Sequence, residues 1–221
     1  MTVKVSEKTL ELNVGAELLF MIRSAWKMPR AYLRGLTQVQ EKKSGVDIFV
    51  KLDPTIEVFA FQFKAPHENK GETVPYRYTL RREQHELLFD LASLRPGCTF
   101  YVFPNYATEA KLGACAPDLA SDTWLMDIAE MPVEGTFGTC KTRTAKCVGG
   151  RLRINPNYNL QLLSTLAPPE HGEGSRRGIP IEEFGDWYTR RREVYEQRYW
   201  DSSVSSIRNM RLVFVSPVSA G

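Results

Sequence analysis

Two neighbouring runs decide how this chain folds: VDIFVKL at residues 46–52 and VFAFQFK at residues 58–64. Both are rich in branched and aromatic residues, the composition of strands, and the Asp53-Pro54-Thr55 turn between them makes the pair a hairpin. The second run is almost continuously apolar except at Gln62 and Lys64, as expected of a strand covered on both faces inside a sheet. Gln62 and Lys64 stand two apart and project from one face, while Phe61 and Phe63 point the other way. An amide and an ammonium buried side by side cost several kcal/mol unless something pairs with them. Asp47, on the preceding strand, can sit opposite them across the hairpin.

On the N-terminal side, residues 6–23 (SEKTLELNVGAELLFMIR) read as a helix that Ser6 can cap, with Leu10, Val14, Leu18, Met21 and Ile22 at helical spacing. Pro29 and Gly35 then punctuate a loop. On the C-terminal side, residues 67–78 are polar and loop-like. Residues 80–94 form an amphipathic helix with Leu80, Leu87, Leu88, Leu91 and Leu94 inward, ended by Pro96-Gly97. Residues 98–103 (CTFYVF) return as a strand. Strand, helix and strand in this order predict a crossover joining two parallel strands. Further along, the reading gives a strand at 123–128, a loop over 133–150, a short strand at 151–154 and a short helix at 158–166. A linker (PPEHGEGSRRGIP) leads to an Arg- and aromatic-rich helix over about 181–200 and a last strand at 210–215. The predicted organisation is a core over residues 1–166 and an extension over 167–221.

A chain of 221 residues with 43% hydrophobic and 25% charged residues has ample core and is neither a disordered tail nor a membrane protein. No apolar run approaches the roughly 20 residues of a membrane span. The N-terminus lacks the apolar stretch of a signal peptide, so the expectation is a cytoplasmic location with no membrane partner. The net charge of +3 permits a nucleic-acid partner without arguing for one. Cys98, Cys115, Cys140 and Cys147 form no CxxC pair and have no nearby histidine, which predicts reduced structural thiols and not zinc.

The Asp47, Gln62 and Lys64 grouping has a chemical use. Phosphodiester hydrolysis needs a metal to bind the scissile phosphate and activate a water. Asp47 can supply an anionic ligand for Mg²⁺ (or Mn²⁺), the Gln62 side-chain carbonyl a neutral one, and the main-chain carbonyl of Phe63 a third oxygen. Lys64 can orient the water or stabilise the developing charge. An acid from the first helix completes the set, and both Glu11 and Glu17 border its apolar stripe; Glu11, beside Asn13, is preferred.

The helix bearing an acid, the strand with Asp47 and the strand with Gln62-Phe63-Lys64 resemble the PD-(D/E)XK, or restriction-endonuclease-like, nuclease superfamily in its Gln-x-Lys variant. The resemblance covers residues 6–130, and FAFQFKAP is similar to the matching stretch of a strand-cleaving transposon nuclease subunit. It implies an α/β fold with an αβββαβ core, a mixed central sheet flanked by helices, and here a C-terminal helical extension. Asp47 matches the family's aspartate, Gln62 its second acid and Lys64 its lysine. Gln84, at the start of the crossover helix, resembles the additional glutamine of Holliday-junction resolvase relatives. The implied activity is Mg²⁺-dependent endonucleolytic cleavage of DNA, in defence against foreign DNA or in repair, with a homodimer as one arrangement for cutting both strands. The departure is Gln62, where most members carry Asp or Glu. One fewer negative charge lowers metal affinity, and the alternative is an inactive member of the same fold serving as a nucleic-acid-binding or scaffolding subunit.

Plainer readings stand beside these. Gln84 equally suits an ordinary first-turn helix position, His67 and His85 read as solvated, and Asp127 reads as structural. Arg176, Arg177, Arg190 and Arg191, interleaved with Trp187 and Tyr188, can grip phosphates and stack on bases. Glu182, Glu183, Glu193 and Glu196 nearly balance that charge, which favours a surface helix or a protein–protein interface.

Overall fold

The computed structural model describes residues 4–52, 57–68, 76–148, 151–158, 160–166, 179–180, 186–187 and 189–190. In chain order these comprise α1 (Glu7–Ser24), β1 (Tyr32–Gly35), α2 (Gln38–Ser44), β2 (Ile48–Leu52), β3 (Glu57–Phe63), β4 (His67–Glu68) and β5 (Tyr76–Arg81). There follow α3 (Arg82–Leu94), β6 (Thr99–Pro104), α4 (Glu109–Cys115), β7 (Thr123–Asp127) and α5 (Val133–Phe137). The series closes with β8 (Thr142–Val148), β9 (Arg151–Arg153), β10 (Gln161–Leu162) and β11 (Ile179–Pro180).

The main sheet runs β1-β2-β3-β6-β7-β10, with β11 also paired to β3. It is mixed: β2 and β3 are antiparallel, β3 and β6 parallel, β6 and β7 antiparallel. The parallel pair is the crossover that the sequence predicts, and α3 makes it. β3 is thus flanked on both sides, and Phe59, Phe61, Gln62 and Phe63 are all buried. Phe61 stacks on Phe100 with centroids 5.6 Å apart, and Trp26, just after α1, meets Phe59 edge-on at 6.1 Å. The opposite face presents Gln62 and its β6 partner Tyr101, on which His85 of α3 stacks. The fold is therefore mixed α/β, with helices on a mixed central sheet.

Ser6 caps α1 by accepting from the Thr9 amide at 3.0 Å, and Leu10, Val14, Leu18 and Ile22 form its buried stripe. α2 carries a capping box at Thr37 and Gln40 and ends on Gly45 at φ 74°. A side chain at Gly45 would stand 3.1 Å from the Gln84 carbonyl oxygen and 3.2 Å from Leu88 Cγ. Both the left-handed turn and the close approach of α2 to α3 therefore call for glycine, two residues before Asp47.

Several elements differ from the sequence reading. Residues 32–35 form β1, not part of a loop, and 38–44 form α2. Leu80 belongs to β5, so the crossover helix begins at Arg82. The Gly/Thr/Lys-rich 133–150 stretch holds α5 and β8, while 161–165 forms a short strand and a 3₁₀ turn in place of a helix. For β5 and β8, pairing partners far along the chain decide: with β4 and β9 they make a second sheet in the order β4-β5-β8-β9, which local composition cannot announce.

The 167–221 extension is tied to the core where it is described. Ile179 pairs with Val58, and buried Trp187 donates its indole N–H to Asp90 of α3 at 2.8 Å. The 210–215 strand and most of the 181–200 helix lie outside the described residues. Among the described residues no helix is long and apolar enough to cross a membrane.

Candidate metal and phosphodiester site

The main-chain register sets the geometry. Ile48 faces Phe61 across the β2–β3 hairpin, and one step further the Asp47 amide donates to the Phe61 carbonyl at 3.1 Å. That step brings the Asp47 carboxylate to the C-terminal end of β3. Its Oδ2 accepts from Gln62 Nε2 at 2.7 Å and from the Phe63 amide at 2.6 Å. Gln62 Nε2 also donates to the Phe63 carbonyl at 3.0 Å. The Gln62 side-chain oxygen, by contrast, is buried without a hydrogen-bond partner. Such an orphaned acceptor costs on the order of 1–3 kcal/mol, and a cation would satisfy it.

Lys64 follows on the same face. Its amide is held by the Val102 carbonyl at 2.9 Å, and its Nζ donates to Gln84 Oε1 at 2.7 Å and lies 5.8 Å from the centre of the Tyr101 ring. Gln84 Nε2 in turn donates to the Gly45 carbonyl at 3.2 Å. Gln84 thus bridges the ammonium to the turn that delivers Asp47.

Asp47, Gln62, Lys64 and Glu11 are all at most 7% exposed, so the charges of Asp47, Lys64 and Glu11 are poorly solvated. Burial pushes the Asp47 carboxyl up to about 7, against the pull of Lys64 and of the Phe63 amide. Burial likewise lowers the Lys64 ammonium, with Glu7 and Asp47 opposing it. The dry setting thus disfavours the charged form of both groups.

The first helix contributes differently from expectation. Glu11 is buried and accepts from Lys8 Nζ at 2.6 Å, with Glu41 4.0 Å from the same ammonium. Glu17 is turned elsewhere: it accepts the Leu119 and Ala120 amides, both at 2.9 Å, and does not join Asp47. Glu7, one turn before Glu11, accepts the Ala65 amide at 3.0 Å and acts electrostatically on both Asp47 and Lys64. The sequence reading passed over Glu7, although its i, i+4 spacing from Glu11 puts both on one helix face.

A cleft of about 770 Å³ reaches the Lys64 and Gln84 end of the grouping, lined also by Glu7, Glu41 and Arg81, while Asp47 and Gln62 lie behind its wall. Among the described residues no three His, Cys, Asp or Glu side chains converge as a metal-binding group. An ion here would rest on Asp47 and on neutral oxygens, those of the Gln62 amide and the Phe63 carbonyl. That donor set suits Mg²⁺ or Mn²⁺, which favour oxygen ligands and retain several waters.

The other singled-out residues fall apart from this grouping. His67 is exposed, as expected. His85 is instead fully buried, its Nε2 2.8 Å from the Met131 carbonyl and its Nδ1 3.2 Å from the Tyr101 hydroxyl. Helical spacing turns it inward, and its ring nitrogens meet Tyr101 of β6 and the main chain at Met131. Asp127 accepts the Gly97 and Ala129 amides at 2.8 and 3.0 Å, a structural role. The four cysteines are free. Arg190 is exposed, while Arg176, Arg177 and Arg191 lie outside the described residues. Comparison of the chain with protein-family models, curated proteins and solved structures gives no match.

Proposed function

We propose that this chain is a metal-dependent nuclease of the restriction-endonuclease-like class, hydrolysing phosphodiester bonds of DNA, with Mg²⁺ or Mn²⁺ as cofactor. The observation that carries the reading is the meeting of Asp47, Gln62 and Lys64 at the end of β3, with Gln62 Oε1 buried and unpartnered beside an under-compensated carboxylate. With α2 inserted between β1 and β2, and β4 and β5 inserted between β3 and α3, the series α1, β1, β2, β3, α3 and β6 is compatible with the αβββαβ core that the resemblance implies. A divalent ion bound by these oxygens would neutralise phosphate charge and lower the pKa of an attacking water. Asp47 and Gln62 would hold that ion. Lys64, steadied by Gln84, aims its ammonium where negative charge develops on the phosphate. Glu7 and Glu11 set the local potential from α1. The free thiols accord with a cytoplasmic setting. Defence against foreign DNA and DNA repair are the settings such an activity would serve.

The test is cleavage of plasmid DNA with Mg²⁺ or Mn²⁺ by wild type, Asp47→Ala and Lys64→Ala. Wild type cuts, and both variants lose at least about 10²-fold. Equal cutting by all three defeats the proposal.

A second reading has one observation of its own. The Gln62 amide nitrogen donates to the same two oxygens, Asp47 Oδ2 and the Phe63 carbonyl, that would face an ion. On that reading the chain is a non-catalytic nucleic-acid-binding or scaffolding member of the class, and wild type neither binds Mn²⁺ nor cuts.

A further inference from the structure

We propose that the outer face of the β4-β5-β8-β9 sheet is a docking surface for the phosphate backbone of duplex nucleic acid, which it leads into the cleft at Lys64. The nuclease reading supplies only the destination in this proposal; binding to the sheet needs no cleavage.

Tyr78, Leu80, Ala145, Cys147 and Leu152 are buried against the core, so the alternate residues of these strands face outward. The register sets His67 opposite Arg77, Arg77 opposite Lys146, and Lys146 opposite Arg153, with Lys146 and Arg153 exposed and Arg77 half-buried. Arg81 and Arg151 extend the same face, with Thr79 opposite Thr144 between them. Among the described residues no Asp or Glu stands on this face, and Arg81, Lys146, Arg151 and Arg153 form no salt bridge with any described residue. Like charges directly opposite across strands are destabilising by roughly 0.2–1 kcal/mol each. In a chain of net charge +3, the four exposed cations Arg81, Lys146, Arg151 and Arg153 on one sheet face are a local concentration that an anionic partner would relieve.

The face is continuous with the candidate site. His67, Thr79 and Arg81 line the same cleft as Lys64 and Gln84, and Arg81 is close enough to act on the Lys64 ammonium. At about 4.8 Å between neighbouring strands, Lys146 and Arg153 stand close enough together to grip neighbouring phosphates of one backbone. Arginine, lysine and threonine are phosphate-binding side chains, and among the described residues no aromatic is exposed on the face to stack a base. That composition favours duplex over single-stranded backbone, since single-strand sites depend on stacking platforms.

The test is fluorescence anisotropy of a labelled duplex, and of one of its strands alone, in chelator across a salt series. Wild type binds the duplex more tightly than the single strand. Lys146→Glu with Arg153→Glu weakens duplex binding at least about tenfold and flattens the slope of log K against log salt by about 2. The neutral pair Lys146→Gln with Arg153→Gln, with the wild-type melting temperature, gives an intermediate loss and guards against misfolding. Unchanged duplex binding in the charge-reversed protein, a single-strand preference, or binding to phosphatidylserine vesicles but not to the duplex each overturns the proposal. Because chelator is present, failure to bind bears on the sheet face, and failure to cut after metal is added bears on the Asp47 site.

Discussion

Gln62 Nε2 donates to Asp47 Oδ2 at 2.7 Å, and the same amide leaves its oxygen buried without a partner. A neutral amide therefore stands where a second carboxylate would bring repulsion without metal and affinity with it. Gln62→Glu is expected to lower the melting temperature in chelator, because two carboxyls this close cannot both ionise. Millimolar Mn²⁺ should raise it more than it raises wild type, and cutting should increase. Destabilisation with no metal response would separate Gln62 from any ion.

The Lys64–Gln84 bond makes the ammonium the working group and the amide its support. Lys64→Met keeps the aliphatic stem and removes a desolvated charge, so the fold should persist while cutting falls about 10²–10³-fold. Gln84→Ala should cost roughly tenfold, a positioning loss of about 1.4 kcal/mol. Single-turnover cleavage on plasmid DNA measures both, and wild-type rates in Lys64→Met would remove the lysine from the chemistry.

The first-helix acids separate by readout. Glu17→Ala exposes two amide donors, at Leu119 and Ala120, and should cost about 1–2 kcal/mol of stability with cleavage intact. Glu7→Gln and Glu11→Gln should instead weaken the response to Mn²⁺, since both carboxylates act on Asp47. Denaturant unfolding and metal titration of the three variants check the division. A Glu17 variant that loses metal response would reverse it.

Two buried groups give stability opposite pH dependences. Burial lowers the His85 pKa below its ordinary value, so the imidazole is neutral in the fold. Its contribution is present above about 6.5 and is lost as pH falls, when the unfolded chain takes up the proton. Asp47, raised to about 7, behaves inversely: its contribution is full below about 4 and is lost as pH rises through about 7. In chelator, Asp47→Asn should remove the loss toward neutral pH, leaving a steeper acid decline. His85→Gln should flatten the acid limb. Melting temperatures between about pH 4 and 8 check both signs, and identical profiles for all three proteins would contradict them.

What the sequence made readable follows from local pattern. The period of two across Phe61, Gln62, Phe63 and Lys64, with apolar residues all round, marked an inner strand and two polar residues on one face. The Leu88 and Leu91 spacing and Pro96-Gly97 marked the crossover helix, and with it the parallel pairing of β3 and β6. The second sheet was not readable. Thr142, Arg143, Thr144 and Lys146 have loop composition, and only pairing with Tyr76–Arg81 makes them a strand. For the same reason the cationic face went unseen, since Arg77, Lys146 and Arg153 are distant in sequence and meet only through register. Within the site, strand alternation brought out Gln62 and Lys64. The choice among Glu7, Glu11 and Glu17 depends on where the start of α1 meets Ala65, a contact 58 residues apart.

The decisive measurement is anomalous diffraction from crystals of the wild-type protein grown with Mn²⁺. The expected result is one peak bonded to the Asp47 carboxylate and to Gln62 Oε1, about 2.0–2.3 Å from each, with Lys64 Nζ beside it. A peak elsewhere, or none while Gln62 Nε2 keeps its bonds to Asp47 and to the Phe63 carbonyl, contradicts the metal site and the nuclease reading with it.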